Sequence, residues 1–170
     1  KMRNVAVDRF FYDPRSMAPD FSDARYMGIH LWFDVDEAAD RWPQHKERLE
    51  SMVDGGNVQM TGANAEQDHG QQWGDLENRR VRVVEFWEKK SLRALGKGGF
   101  GWHYCYFVGE LDLESGWSPY QGEKGEPDCP YEAWSPYVDE KGDRYGMIRT
   151  MKSVQDEINY SASKLLHRIA

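Results

Sequence analysis

The chain has 170 residues and a formal net charge of -7, with 39% apolar, 30% charged and 14% aromatic residues. That length is enough for one domain with a hydrophobic core, in which Trp, Tyr and Phe must carry much of the burial. The acidic balance opposes tight, salt-sensitive wrapping of nucleic acid, two cysteines are too few for a disulfide scaffold, and no apolar run reaches the roughly 18 to 20 residues that span a bilayer, so a soluble protein assembled inside a cell is predicted.

In chain order, residues 4–12, NVAVDRFFY, mix Val5, Val7, Phe10 and Phe11 with polar partners and predict a strand. Asp13-Pro14-Arg15-Ser16 predicts a turn, because Pro14 fixes its own backbone and pushes Asp13 out of helical space. The aromatic run 26–33, YMGIHLWF, predicts a second strand, after which Asp34 can cap a short helix whose early acids are Asp36 and Glu37 and whose end is limited by Pro43. A further helix over 44–52 would rest on Leu49 and Met52. Residues 54–74 are rich in Gly, Asn and Gln and predict a surface loop.

Strand alternation returns at 79–87, with Val81 and Val83 on one face and Val84 and Phe86 on the other. The basic, glycine-rich segment 89–101 connects it to an aromatic strand at 102–108, which Gly109-Glu110 turns back into 111–113 as a hairpin. The tetrapeptide WSPY occurs twice, and its rings Trp117, Tyr120, Trp134 and Tyr137 are predicted to anchor turn-rich loops or to serve an interface.

The last element is an amphipathic helix. Ser153 stands three residues before Asp156, the capping-box spacing, and places its start there. Val154, Ile158, Ala162, Leu165, Leu166 and Ile169 form one apolar stripe, while Lys164, His167 and Arg168 oppose the negative end of the helix dipole. No Gly, Asn or Pro closes it, which suggests a helix that continues in a longer parent chain or frays for want of a packing partner. The fold class expected is α+β: small, mostly antiparallel sheets with flanking helices and a long C-terminal helix.

Little in the chain demands catalysis. His30, His45, His69, His103 and His167 lack paired ligand spacing, so no metal is expected. No cofactor is expected either. KGGF at 97–100 lacks the GK[ST] ending of a phosphate loop and reads as a connector. Glu85, His103, Glu110 and Asp112 could converge beside Trp87 and Trp102, which would suit a carbohydrate-binding or carbohydrate-active domain using Glu85 and Glu110; alternation alone explains the same acids as the solvated face of a sheet. A small scaffold or adaptor is a third reading.

Three ordered blocks resemble the portal proteins, or head-to-tail connectors, of short-tailed tailed phages. They are residues 10–43, with a D-x-x-S spacing, SDAR and a helical segment; residues 81–90, VRVVEFWEKK; and residues 145–167, YGMIRTMKSVQDEINYSASKLLH. Together they cover less than half of the chain. The resemblance implies a structural, non-enzymatic protein that forms a ring, typically of twelve subunits, at one capsid vertex of the virion, assembled in the bacterial host cytoplasm. Double-stranded DNA would pass through its channel without sequence-specific contact. Terminase, tail or adaptor proteins and capsid proteins are the partners implied, with no membrane. The same resemblance divides the chain into a wing-like region at 1–90, a clip-like hairpin and loops at 91–150 and the start of a stem helix at 151–170. It gives Val154, Ile158, Leu165, Leu166 and Ile169 to helix packing or a subunit interface. Family members carry more chain on both sides of these blocks, and a long helix normally enters their clip where this sequence offers only residues 91–101.

Overall fold

Alternating apolar residues over long β-branched and aromatic runs build antiparallel strands, and here they pair around one central strand. The structure, a computed structural model, describes residues 4–54 and 73–169. Strands β1 (Phe10–Tyr12), β2 (Tyr26–Asp34), β3 (Gly74–Asp75), β4 (Arg80–Ser91), β5 (Phe100–Val108) and β6 (Leu111–Trp117) form one antiparallel sheet in the order β1-β2-β4-β5-β6, with β3 also on β4. Two helices, α1 (Val35–Arg41) and α2 (Lys46–Asp54), follow β2. A two-stranded sheet of β7 (Tyr137–Val138) and β8 (Arg144–Tyr145) precedes the long helix α3 (Ile148–Ile169). The expected α+β class is therefore observed.

The chain divides into two compact units. The first comprises 1–13 and 25–130 and holds the six-stranded sheet with α1 and α2; the second comprises 14–24 and 131–170 and holds β7, β8 and α3. Within the first unit the sheet continues through residues 90 and 91, where β4 pairs with β5 from Val84↔Phe107 to Ser91↔Phe100.

In the first unit, register decides which side chains share a face. Phe33, Val81 and Val83 lie on the side where Val35, Ala38 and Trp42 of α1 and Leu49 and Val53 of α2 close the core, joined by Val108, Leu111 and Leu113. Leu49 is 0% exposed, as its place in the apolar pattern foretold. Between β5 and β6 the register slips by one residue at Tyr106/Phe107, a bulge whose spare residue is Leu113. The Leu113 carbonyl accepts instead from Gln44 Nε2 at 3.4 Å. Gly28 has no room for a side chain: a Cβ there would lie 2.2 Å from the Glu85 carbonyl oxygen and 2.4 Å from the Phe11 ring.

Several local expectations change. The strand expected over 4–12 shrinks to β1, because Val7–Arg9 turn as a 3-10 helix. Asp34 precedes α1 but makes no side-chain cap; its carboxylate accepts from Arg80 Nε at 2.9 Å. A 3-10 turn at Pro43–His45 separates α1 from α2, so the second helix starts two residues later than expected. The loop expected over 54–74 falls mostly on 55–72, outside the described residues. β6 is longer than the short strand foreseen at 111–113.

The second unit is organised by one arginine. Arg144 Nη2 donates to the Ser16 carbonyl at 3.1 Å, to Ser16 Oγ at 2.8 Å and to the Ala18 carbonyl at 2.9 Å, with its guanidinium 3.7 Å from the Phe21 ring centroid. Ser16 Oγ donates a hydrogen bond to Asp23 Oδ1 at 2.6 Å, and the Asp23 carboxylate also accepts from the Met17 and Ala18 amides. Burial opposes that charge, yet the Ser16 hydroxyl and the two amides outweigh it and hold Asp23 below the usual carboxylate range.

Candidate functional site

Helix α3 starts at Ile148, five residues before the expected cap, so Ser153 and Asp156 lie inside it rather than at its mouth. The real entry is built by Tyr145: its ring stacks on Tyr137 at 5.2 Å across the β7–β8 pair and carries the Arg149 guanidinium at 4.8 Å. The Thr150 hydroxyl donates to the Met147 carbonyl at 2.8 Å and ties down the first turn.

From that root the two sides of the helix differ. At the edge of the apolar stripe Gln155 Nε2 meets Asn159 Oδ1 at 3.0 Å; on the polar side Ser163 Oγ donates to the Asn159 carbonyl at 2.8 Å, and the Lys164 ammonium sits 4.4 Å from the Tyr160 ring centroid. These neighbours one turn apart satisfy one another. On the other side Ile148, Met151, Val154, Ile158, Leu165 and Leu166 fall within about 120° of arc at 100° per residue. All are exposed, Ile148 at 81% and Leu166 at 70%. The stripe thus begins six residues earlier in the chain than expected, with Ile148 and Met151, which the i, i+3, i+6 spacing ahead of Val154 would have revealed. The side chain of Ile169 lies outside the described residues.

The two WSPY segments place their serines, not their rings, inside. Ser118 and Ser135 are buried; Ser118 Oγ donates to the Asp128 carbonyl and accepts from the Tyr120 amide, while Ser135 Oγ donates to the Tyr137 carbonyl. Trp117 is half-buried edge-on to His103 at 5.5 Å. Tyr120 and Tyr137 are exposed, and Trp134 is 72% exposed, so Trp134 is no anchor: its loop is held by backbone and serine hydrogen bonds, not by a buried indole.

The paired-carboxylate arrangement does not assemble. Glu85 lies on the helix-bearing face of the sheet, accepting from Trp87 Nε1 at 2.8 Å, and Glu110 sits in the tight turn between β5 and β6. His103 and Asp112 point to the opposite face, where His103 lies 3.3 Å from Lys90 Nζ and Asp112 lies 3.9 Å from Cys105 Sγ. Burial, then the Lys90 charge, lowers the His103 pKa against Glu88, and burial pushes the Cys105 thiol up. Glu114 accepts from Trp42 Nε1 at 3.2 Å and Tyr104 OH at 2.9 Å, a structural clamp rather than a free acid. Among the described residues, no group of three His, Cys, Asp or Glu could hold a metal ion, and no helix is long and apolar enough to cross a membrane.

Among the described residues the candidate site is therefore a set of uncovered surfaces. Comparison with known families agrees with that character: the Phage P22-like portal protein family matches residues 1–95 and 97–170. The chain belongs to this family. As a portal protein it has a structural role and is a component of the phage capsid. No curated protein matches it. The carbohydrate reading built on Glu85 and Glu110 finds no support in the family or in the geometry.

Proposed function

We propose that the chain is a subunit of a ring, typically of twelve copies, at one capsid vertex, and that double-stranded DNA passes through that ring without sequence-specific contact. The observation that carries the reading is the bare apolar stripe of α3. A helix of 22 residues with one apolar side left in water gains most by lying against another subunit, where each buried side chain recovers about 1.5 to 3 kcal/mol. Val154, Ile158, Leu165 and Leu166, continued by Ile169, are the proposed contact, and residues 151–170 the beginning of a stem helix. Residues 1–90 are assigned to the wing and 91–150 to the clip, with Trp117 and Tyr120 in the first unit and, separately, Trp134 and Tyr137 in the second as further contacts.

In this reading the work is mechanical, and no residue acts as a catalyst. Terminase docks while the capsid fills, tail or adaptor proteins dock afterwards, and assembly takes place in the host cytoplasm before the ring enters the virion. The test is electron microscopy of the protein in capsid extracts, with the double variant Ile158→Asp/Leu165→Asp beside the unchanged chain. Rings are expected from the unchanged chain and monomers from the variant. A persistent monomer in both, or rings of undiminished yield in the variant, would overturn the proposal.

A further inference from the structure

Residues 14–24 join β1 to β2 in sequence yet belong to the second unit, and they form neither helix nor strand. The segment before α3 holds them at three points. The Ser135 amide donates to the Pro19 carbonyl at 2.8 Å. A Cβ added at Gly142 would lie 3.2 Å from Met17 Sδ and 3.6 Å from the Pro14 carbonyl oxygen, so the turn between β7 and β8 rests directly on this strap. Arg144, on β8, makes the third contact through Ser16, Ala18 and the Phe21 ring. Dependence runs both ways, because β7 and β8 have two residues each and a lone hairpin of that size has little stability in water.

Phe21 shows that the strap is held under strain. Its φ is +57°, in the left-handed region that a bulky side chain rarely adopts. Hydrogen bonds on both sides fix that conformation: the Phe21 amide donates to the Ala18 carbonyl at 3.1 Å, and the Ala24 amide to the Phe21 carbonyl at 3.0 Å. The residue is only 5% exposed, with the Arg144 guanidinium against its ring. A strained residue persists only while its surroundings over-determine it. Loss of the Arg144 contacts therefore lets Phe21 relax and, in the same step, removes the support of β8. That strand carries the root of α3, since Tyr145 follows Arg144, stacks on Tyr137 and holds Arg149.

We propose that residues 14–24 are a strained strap, latched by Arg144, that holds the root of α3, and that strap and root open and close as one unit. By linkage, whatever fixes Tyr145 and Arg149 in place also closes the strap. The inference does not depend on ring assembly.

Amide hydrogen exchange of the 170-residue chain, read residue by residue by NMR, tests it. Arg144→Lys keeps the charge and loses the planar fork that reaches several acceptors at once. Exchange should quicken about tenfold or more, the scale of a lost charge-assisted hydrogen bond, and by one common factor at Met17, Ala18 and Phe21 in the strap and at Ser135, Asp139 and Gly142 before α3. Amides of β4 and β5 should keep their rates. Ser16→Ala, which removes one of the three acceptors of Arg144, should give the same pattern with a smaller factor. Strain is read from a pair of variants that both lose the ring: the strap should exchange about threefold or more slowly in Phe21→Gly than in Phe21→Ala, because only glycine takes the left-handed conformation freely. Unchanged rates in Arg144→Lys, a strap that quickens while Ser135, Asp139 and Gly142 do not, equal acceleration in β4 and β5, or Phe21→Gly exchanging as fast as Phe21→Ala would overturn the proposal.

Discussion

Helices α2 and α3 carry the same kind of apolar stripe and meet opposite fates. In α2, Leu49 and Val53 are enclosed by the sheet and α1; in α3, every described side chain of the stripe stands in solvent. Spacing at 3.6 residues says that a face asks to be covered, not which surface covers it. The difference lies in neighbours. β4, β5 and β6 supply this core with a wall of valines and leucines, while β7 and β8 contribute only two residues each and hold α3 by its root at Tyr145.

Core truncation should separate the two most strongly. Trp42→Ala is expected to cost about 3 to 5 kcal/mol and Leu49→Ala about 2 to 5, because both leave cavities in a closed core; chemical denaturation of the monomer measures this. Leu165→Ala, at an exposed position, should fall within about 0.5 kcal/mol of the unchanged monomer in the same experiment. A comparable loss at Leu165 would mean that α3 is buried within its own chain and would break the contrast.

The root of α3 comes next. Arg144→Ala removes the donor to Ser16 and Ala18 from a part-buried network and should cost about 1.5 to 3 kcal/mol, read as faster amide exchange across 14–24 with the six-stranded sheet unaffected. Acid should act on the same place. The Asp23 pKa is held below the ordinary carboxylate value of 3.8, so its contribution is present above that pH and is lost as pH falls through the lower, folded value. Asp23→Asn is expected to abolish this acid-linked loosening of 14–24.

The smallest effect should come from His30. Burial first, then Arg82, lowers its pKa from 6.5. The unfolded chain then binds the proton more readily, so stability is full above 6.5 and falls as pH drops from there toward the folded value. His30→Gln should flatten that part of the pH profile; an unchanged slope would show that another group is responsible.

Much of this was legible in the residues. The strands at 26–33, 79–87 and 102–108 announced themselves by alternation and aromatic content, and the structure extends each by only a few residues. Local chemistry misled where a tertiary partner was the better offer. Asp34 bonds Arg80 instead of capping α1, and the Ser153 spacing lost to an entry set by Tyr137, Tyr145 and Arg149. Arg144 and Ser16 lie 128 residues apart, a partnership no local pattern displays. The WSPY rings looked like anchors because Pro and Trp suggest packed loops, yet the buried members are Ser118 and Ser135, whose short hydroxyls reach backbone carbonyls.

By itself, the sequence determined the periodicities: which runs pair as strands, which become helices, and that the last helix carries one apolar side. These follow from backbone geometry and the hydrophobic effect acting over a few residues. Only the tertiary structure decided which apolar sides are enclosed and that Glu85 and Glu110 stay apart. The reason is physical: burial and electrostatics are set by distances between segments far apart in the chain, and those distances exist only once the sheet has fixed its register.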